Sequence, residues 1–520
     1  MFKTSFFLGL LLLLSACVEE KSSIDILIVN GTVYDGISEV PSQLDIAIQN
    51  GKITSMGTLD EQELNPKHLI DASGKIVSPG FIDPHTHADR DLIKPETAHN
   101  MPFLMQGVTT VVVGSDGDSF LPLKKHAQLY DSIGIGTNVV QLVGHGSVRK
   151  QVMGKSDRKP TPSELKEMKA LVQEEMDQGA FGMSTGLFYA PGSYSNTNEV
   201  IELAKTVAMN DGIYDTHLRD ESSFTVGLVN AVQEALEIGK KAQIPIHISH
   251  IKCLGKDVWG KSQEVIDLIE QATTMGVRVT ANQYPYEASA TSLKAAVVPR
   301  WAESGGLDSL FIRLGNPNLE KRILDETNRN MERRGGPSKL LIVKLPDTTY
   351  VGKNLEEIAQ LLQVTPQQAV FELLQIGHAK VVSFNMALED IHNFMQQDWV
   401  VTGSDGNTGH PRKYGSFPRK YAKYVKQDRI ISLAKFINGS THKTAEIFKI
   451  PQRGAIKEGY YADIIIFDPD KFEDRAGYTD AFLYAKGLEY SIVNGRMSVE
   501  KGRYTDQLNG SVLLKQQALK

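Results

Sequence analysis

Cysteine is almost missing from this chain: there are two in 520 residues, Cys17 and Cys253. That excludes a disulfide framework, which needs several paired cysteines at regular spacings. A block of basic residues is missing as well, and the net charge is −6. Both facts argue against nucleic acid or an anionic membrane surface as an electrostatic partner. The one conspicuous apolar run, Phe6 to Leu14, is too short to span a bilayer as a permanent helix. What remains is ordinary: 41% apolar and 23% charged residues are the proportions of a soluble globular protein. The length exceeds one small domain and accommodates a barrel with extra material.

Residues 1–16 read as a leader, with Lys3 as its positive start and Leu14-Ser15-Ala16-Cys17 as its end. That end resembles the bacterial lipobox. The resemblance implies cleavage before Cys17, lipidation of Cys17, and anchoring to a membrane that the chain does not cross. Val18, rather than an aspartate, implies the outer membrane facing the periplasm if the source is Gram-negative. Residues 17–23 then form a short polar tether.

Two β-rich ends flank a long middle. Ile24-Ile26-Ile28 and Leu44-Ile46-Ile48 alternate as strands do, and Asn30-Gly31 and Asn50-Gly51 are hairpin signals. Ile464 to Phe467 and Ser491 to Gly495 match them at the far end. One small β-domain built from both termini, 24–72 and 450–515, is the expectation. Between the ends, eight strand signals alternate with helical patterns: Ile76 to Ala88, Gly107 to Gly117, Asn138 to Val148, Ala180 to Leu187, Gly212 to Asp220, Pro245 to Lys252, Arg278 to Tyr286 and Val400 to Gly406. Eight β/α units predict an α/β fold, a closed (β/α)8 barrel of the TIM type over 73–449. The gap between signals seven and eight is far too long for a loop, so 291–350 reads as an inserted subdomain.

Such a barrel keeps its chemistry at the C-terminal ends of its strands, and the polar residues there form a set. His85 and His87 stand two apart on strand one and therefore face the same side. Strand two ends in Asp116, strand five in His217, strand six in His250, and strand eight in Asp405. Four imidazoles and two carboxylates at one rim are a metal-ligand set. Each histidine alone has a structural reading, and Asp116 and Asp405, each followed by glycine, have a turn reading. Coincidence of all six is the poorer explanation. Cys253 lies three residues past His250 and should face away as a small packed residue.

These residues sit in text that resembles the amidohydrolase superfamily, specifically the N-acyl-D-amino-acid deacylase (D-aminoacylase) family. The shared stretches include Gly80-Phe81-Ile82-Asp83-Pro84-His85-Thr86-His87, Gly144-His145-Gly146-Ser147-Val148-Arg149, Ser184 to Gly192, Thr216 to Glu221, Ile248 to Cys253, Tyr284-Pro285-Tyr286, Gly403 to Gly406 and His410-Pro411-Arg412. The resemblance implies that His217 and His250 hold the tighter of two metals, bridged by the strand-two residue, and that His85, His87 and Asp405 hold the second. In the family the strand-two ligand is a cysteine; here that place reads Asp116. A carboxylate is harder than a thiolate, so Zn2+ is the expected ion while Mn2+ or Co2+ is also accommodated.

The implied reaction is hydrolysis of a linear amide, the deacylation of N-acyl-D-amino acids by a metal-activated hydroxide, with Asp405 as general base and then acid. Lys252, Tyr284 and Arg412 are implied to hold the substrate's α-carboxylate, and Tyr189 matches a rim tyrosine that covers the site. Ala290 stands where the family often has a serine near that carboxylate. Arg300 and the insertion are candidates for shaping the side-chain pocket. His145 and His247 read as structural. The partner is thus a small N-acyl amino acid or a short peptide. Three alternatives stay open: a peptidase for D-amino-acid-containing or isopeptide-linked peptides of the cell envelope, a cyclic amidohydrolase of the dihydroorotase or hydantoinase type, and an inactive binding lipoprotein. The cyclic type carries a carboxylated lysine on strand four, and Ala180 to Leu187 has none. Acyl group, side chain and oligomeric state are not legible in the sequence.

Overall fold

The computed structural model describes residues 23–515. The leader, the lipidation site at Cys17 and nearly all of the tether lie outside the described residues. No helix among those described is long and apolar enough to cross a membrane.

The barrel strands are Phe81–Asp83, Val108–Val113, Asn138–Gln141 with Val143–Gly144, Gly182–Gly186, Ile213–His217, Ile246–Ile248, Val279–Gln283 and Val400–Thr402. Each pairs in parallel with the next where registers are formed. A parallel bridge between Thr86 and Gly406 closes strand eight onto strand one. Strand two, Val-Thr-Thr-Val-Val-Val, is buried at every position; parallel strands covered on both faces read as such runs. The covering helices are amphipathic. In Leu228–Ala242 the buried residues are Leu228, Ala231, Val232, Ala235, Ile238, Gly239 and Ala242, which form one stripe, and Gln243 ends the helix in the left-handed conformation.

Strand one differs from the single run Ile76 to Ala88. Ile76–Pro79 belongs to the β-domain, where Ile464 to Phe467 pairs with it antiparallel, and the barrel strand starts only at Phe81. Gly80 makes the transfer, because a Cβ there would sit 2.2 Å from the Thr109 side chain. The β-domain therefore extends past residue 72. It is a sandwich of a four-stranded sheet and a seven-stranded sheet, the second containing chain from both ends. Ile26, Ile28, Ile46, Ile48, Val77, Ile464, Ile466 and Ile492 fill the space between them. At the far end the division also differs: Val512–Leu513 leaves the sandwich and pairs in parallel with barrel strand three. Strand three itself stops at Gly144, and His145–Met153 is a helix.

The insertion is wider than 291–350. Its three-stranded antiparallel sheet is Ala288–Ser292, Leu340–Lys344 and Lys380–Phe384, so it runs from Ala288 to Phe384. It has its own core, with Leu310, Ile323, Met331, Leu340, Ile358, Val370 and Val381 buried together. Helices Pro317–Arg333, Leu355–Leu362 and Pro366–Ile376 pack around that sheet. The sheet's first strand brings Ser289, Ala290 and Thr291 to the barrel mouth, where they line the same pocket as His217, His250 and Asp405.

Candidate metal centre and its surrounding pocket

Asp116 decides the arrangement. Its Oδ1 lies 3.4 Å from His85 Nε2, 3.3 Å from His217 Nδ1 and 3.3 Å from His250 Nε2, while its Oδ2 lies 3.5 Å from His87 Nε2. Asp405 Oδ1 is 3.3 Å from His87 Nε2 and 3.9 Å from His85 Nε2. Two ligand groups result, His85–His87–Asp116–Asp405 and Asp116–His217–His250, with Asp116 common to both. A carboxylate has two oxygens and can serve two cations, which suits the shared position.

The local chain explains the convergence. Asp116, His250 and Asp405 all have positive φ, 56°, 37° and 49°. Left-handed backbone is uncommon for such residues and costs on the order of 1–3 kcal/mol each where it is imposed. Each sits in the turn two or three residues past the end of its strand, which brings its side chain to the other ligands. One buried atom joins strands one and eight: Asp83 Oδ1 accepts from the backbone NH of His85 at 3.3 Å on its own side and from that of Ser404 at 3.0 Å across the join. Burial pushes the Asp83 carboxyl up to about 7. On strand seven, Asn282 Oδ1 accepts from the His250 NH at 2.9 Å and fixes the turn after strand six.

The donor set fits a divalent cation. Within the described residues neither ring nitrogen of His85 has a hydrogen-bond partner, nor does His217 Nε2, although all are buried. Orphaned buried imidazole nitrogens facing two carboxylates are unfavourable unless a cation completes them. Burial depresses His85 to about 4, so it is a neutral ligand at ordinary pH. Burial opposes ionisation of Asp116, but His85 and His217 outweigh it and hold its carboxyl well below the usual range. Binding requires neutral imidazoles beside anionic carboxylates. His85 meets this as it stands, whereas, against burial and Lys252, Glu221 and Asp116 raise His250 to about 9, so a cation has to displace its proton.

A carboxylate that the sequence reading assigned no role stands behind this ring. Glu221 Oε1 is 3.0 Å from His250 Nδ1 and 2.5 Å from Lys252 Nζ, and its Oε2 is 3.7 Å from His217 Nε2. It is buried, and the spacing His217 to Glu221 in the quoted stretch was its only sequence signal. Carboxylates in that position fix the tautomer and orientation of ligating histidines.

Lys252, Tyr284, Arg412 and Tyr189 all line the pocket beside the ligands. The Arg412 guanidinium lies over the Tyr284 ring at 4.7 Å and forms an ion pair with Asp405 Oδ2 at 2.8 Å. Its Nε and Nη1 are buried without a partner among the described residues. The Tyr189 ring lies 4.7 Å from that of His217, and Thr291 Oγ1 is 3.4 Å from its hydroxyl. Ala290 contributes a backbone carbonyl to Arg412 instead of a hydroxyl to the pocket. Arg300 lies elsewhere: its fork is used on Phe188 O, Ala295 O, Val298 O and Glu303, and it lines an outer cavity of about 440 Å3. Phe188 and Phe224 separate that cavity from the inner pocket. His145 is bonded to Glu199 at 3.0 Å, and His247 to Thr280 and Asn282, both outside the ligand groups. Cys253 is buried and free, and belongs to the barrel's hydrophobic core.

Residues 68–499 match the model of an amidohydrolase family, Amidohydro_3. The chain belongs to that family. D-aminoacylase from Alcaligenes xylosoxydans xylosoxydans is 30% identical to it, over 95% of this chain and 98% of the relative. An N-acyl-D-aspartate deacylase from the same organism is also 30% identical, over 94% and 95%. The crystal structure of N-acyl-D-glutamate deacylase from Bordetella bronchiseptica superposes with a TM-score of 0.82 at 28% identity, over 95% of this chain and all of that one. That crystal contains zinc and a phosphonate inhibitor that mimics the tetrahedral intermediate.

Proposed function

We propose that this chain is a metal-dependent deacylase of N-acyl-D-amino acids. One observation carries the reading: the two ligand groups share Asp116, and members of both, His217 and His250 from one and Asp405 from the other, line the same pocket as Lys252, Tyr284 and Arg412. A metal-ligand cluster beside two cations and a phenol is a site for hydrolysing an amide whose other end is a carboxylate. His217, His250 and Asp116 would hold one ion, and His85, His87, Asp116 and Asp405 the other; zinc fits the imidazoles, and Asp116 also admits manganese or cobalt. Such an ion supplies Lewis acidity toward the amide carbonyl and lowers the pKa of water.

The protein's own residues do the rest. Lys252, Tyr284 and Arg412 bind the α-carboxylate and so fix the scissile amide against the ligand ring. Asp405 takes a proton from the attacking water, and as the C–N bond breaks it returns that proton to the departing nitrogen, which cannot leave as an amide anion. Burial works against its ionisation, but Arg412 and then His87 hold the Asp405 carboxyl well below the usual range. When Arg412 turns to the substrate carboxylate, that restraint on Asp405 Oδ2 relaxes and the group becomes a better base. The test is a panel of N-acetyl-D- and N-acetyl-L-amino acids with metal-replete protein, reading released amine. Release from D-isomers only is the expected result. Release from no member of the panel, with D-amino-acid dipeptides cleaved instead, moves the assignment to the peptidase reading.

The chain's place is the cell envelope, lipid-anchored through Cys17, facing the periplasm from the outer membrane if the source is Gram-negative. The lipobox-like end Leu14-Ser15-Ala16-Cys17 supports this. The expected outcome is that Cys17→Ser moves the full-length protein from the detergent phase to the aqueous phase on Triton partition; an unchanged partition contradicts it.

A further inference from the structure

The insertion places one more cation in the pocket, and no carboxylate among the described residues pairs with it. Arg334 follows the helix Pro317–Arg333 and is 2% exposed. Its Nε donates to Ala296 O at 2.9 Å and its Nη1 to Ser383 Oγ at 3.3 Å. Its guanidinium lies over the Phe224 ring at 5.3 Å. All three partners are uncharged, and Nη2 makes no hydrogen bond among the described residues. Among the described residues no carboxylate lies within ion-pair distance of it. Yet it lines the inner pocket together with Lys252, Tyr284, Arg412 and Asp405. The other buried cations of this pocket are matched, Lys252 by Glu221 and Arg412 by Asp405. Arg334 alone is not.

A guanidinium removed from water without an anion is costly, and a structure keeps one only where folding or a ligand compensates. Its pKa is depressed, chiefly by burial, to about 10. A substrate with a single carboxylate, held by Lys252, Tyr284 and Arg412, leaves Arg334 as it is. A substrate with a second carboxylate completes it. We infer that Arg334 binds the side-chain carboxylate of the substrate, so that the preferred substrates are N-acyl derivatives of acidic D-amino acids. This rests on the deacylase reading above. Overall similarity does not make the choice, since relatives named for D-amino acids in general and for D-aspartate are equally distant. The alternative role for Arg334 is purely structural: to hold Ala296, Ser383 and Phe224 in place.

The experiment compares kcat/KM for N-acetyl-D-glutamate and N-acetyl-D-glutamine, and for the aspartate and asparagine pair, in wild type and Arg334→Gln. Each amide keeps the shape of the acid and removes the charge. The acids are expected to be favoured about 100-fold in wild type, the ordinary size of a desolvated charge pair, and in Arg334→Gln the acid-to-amide ratio of kcat/KM is expected to fall to about one, whatever the variant's overall rate. An acid-to-amide ratio in Arg334→Gln unchanged from wild type, or no acid preference in wild type, overturns the inference. Thermal shifts with N-acetyl-D-glutamate and N-acetyl-D-glutamine, read without turnover, separate it from the deacylase reading. A larger shift with the acid that disappears in Arg334→Gln upholds the acidic pocket even if nothing is hydrolysed, and equal shifts in wild type sink it.

Discussion

Asp405 and Glu221 are both buried carboxylates beside the histidines, and their surroundings give them different work. Asp405 faces the pocket and touches His87 and Arg412, so it can reach the reacting atoms. Glu221 is taken up by His217, His250 and Lys252 and acts through those side chains. Asp405→Asn is expected to retain by elemental analysis the ion of the Asp116–His217–His250 group, which does not include Asp405, and to lose roughly 10²–10⁴ in kcat, the usual contribution of a positioned acid–base group; wild-type turnover would refute its role. Glu221→Gln should instead weaken metal affinity about 10–100-fold, as expected for a carboxylate behind ligating histidines. Titration with a competing chelator measures it. Rescue of activity at high metal concentration distinguishes the two variants.

At the scale of elements, the join between barrel and β-domain is polar as well as apolar. Asp463, just before the strand Ile464–Phe467, accepts from Arg453 Nη1 and from Asn138 Nδ2, the latter at 3.0 Å. Asn138 opens barrel strand three, and Asn494 Nδ2 donates back to its Oδ1 at 2.8 Å. Both charged partners of the Arg453–Asp463 pair are buried. Removing one leaves the other uncompensated, which costs about 3–5 kcal/mol. Asp463→Ala should therefore lower the unfolding free energy from denaturant titration by that amount, and a change within error would show that water replaces the carboxylate. The insertion behaves differently, because its sheet and helices enclose their own core. It can present Arg334 and Thr291 rigidly at the mouth without borrowing core residues from the barrel.

For the whole molecule, one buried lysine sets a pH dependence remote from the metal ligands. Lys420 lies in the helix Lys420–Gln427 and is 2% exposed. Burial, with a smaller effect of Lys435, lowers it from the ordinary 10.5 to about 7. Between pH 7 and 10.5 the unfolded chain holds this proton and the folded chain does not, so stability rises with pH across that window. Below pH 7 the folded state carries the buried charge, and the full penalty, a few kcal/mol, applies. Lys420→Met should raise Tm most at pH 6 and progressively less toward pH 10. A gain independent of pH would mean that packing, and not charge, is responsible.

Several features follow from local sequence alone. The alternation of eight strand signals with amphipathic helices, and the His-x-His pair on one strand face, are set by side-chain periodicity, which neighbours along the chain determine. The six ligand candidates were legible because strand ends carry function in a barrel, and strand ends can be found from pattern. Other features depend on contacts between distant residues. Only the tertiary structure divides Ile76–Pro79 from Phe81–Asp83, since both are apolar runs and the steric demand at Gly80 comes from Thr109. Only it reveals Glu221 behind His250 and Arg334 in the pocket, because neither spacing nor composition records which charges lack a partner. Asp116 combines both kinds of information. Its residue type permits two cations to be bridged, and its left-handed turn, the closure of strand eight on strand one and the turn held by Asn282 bring five other side chains to it.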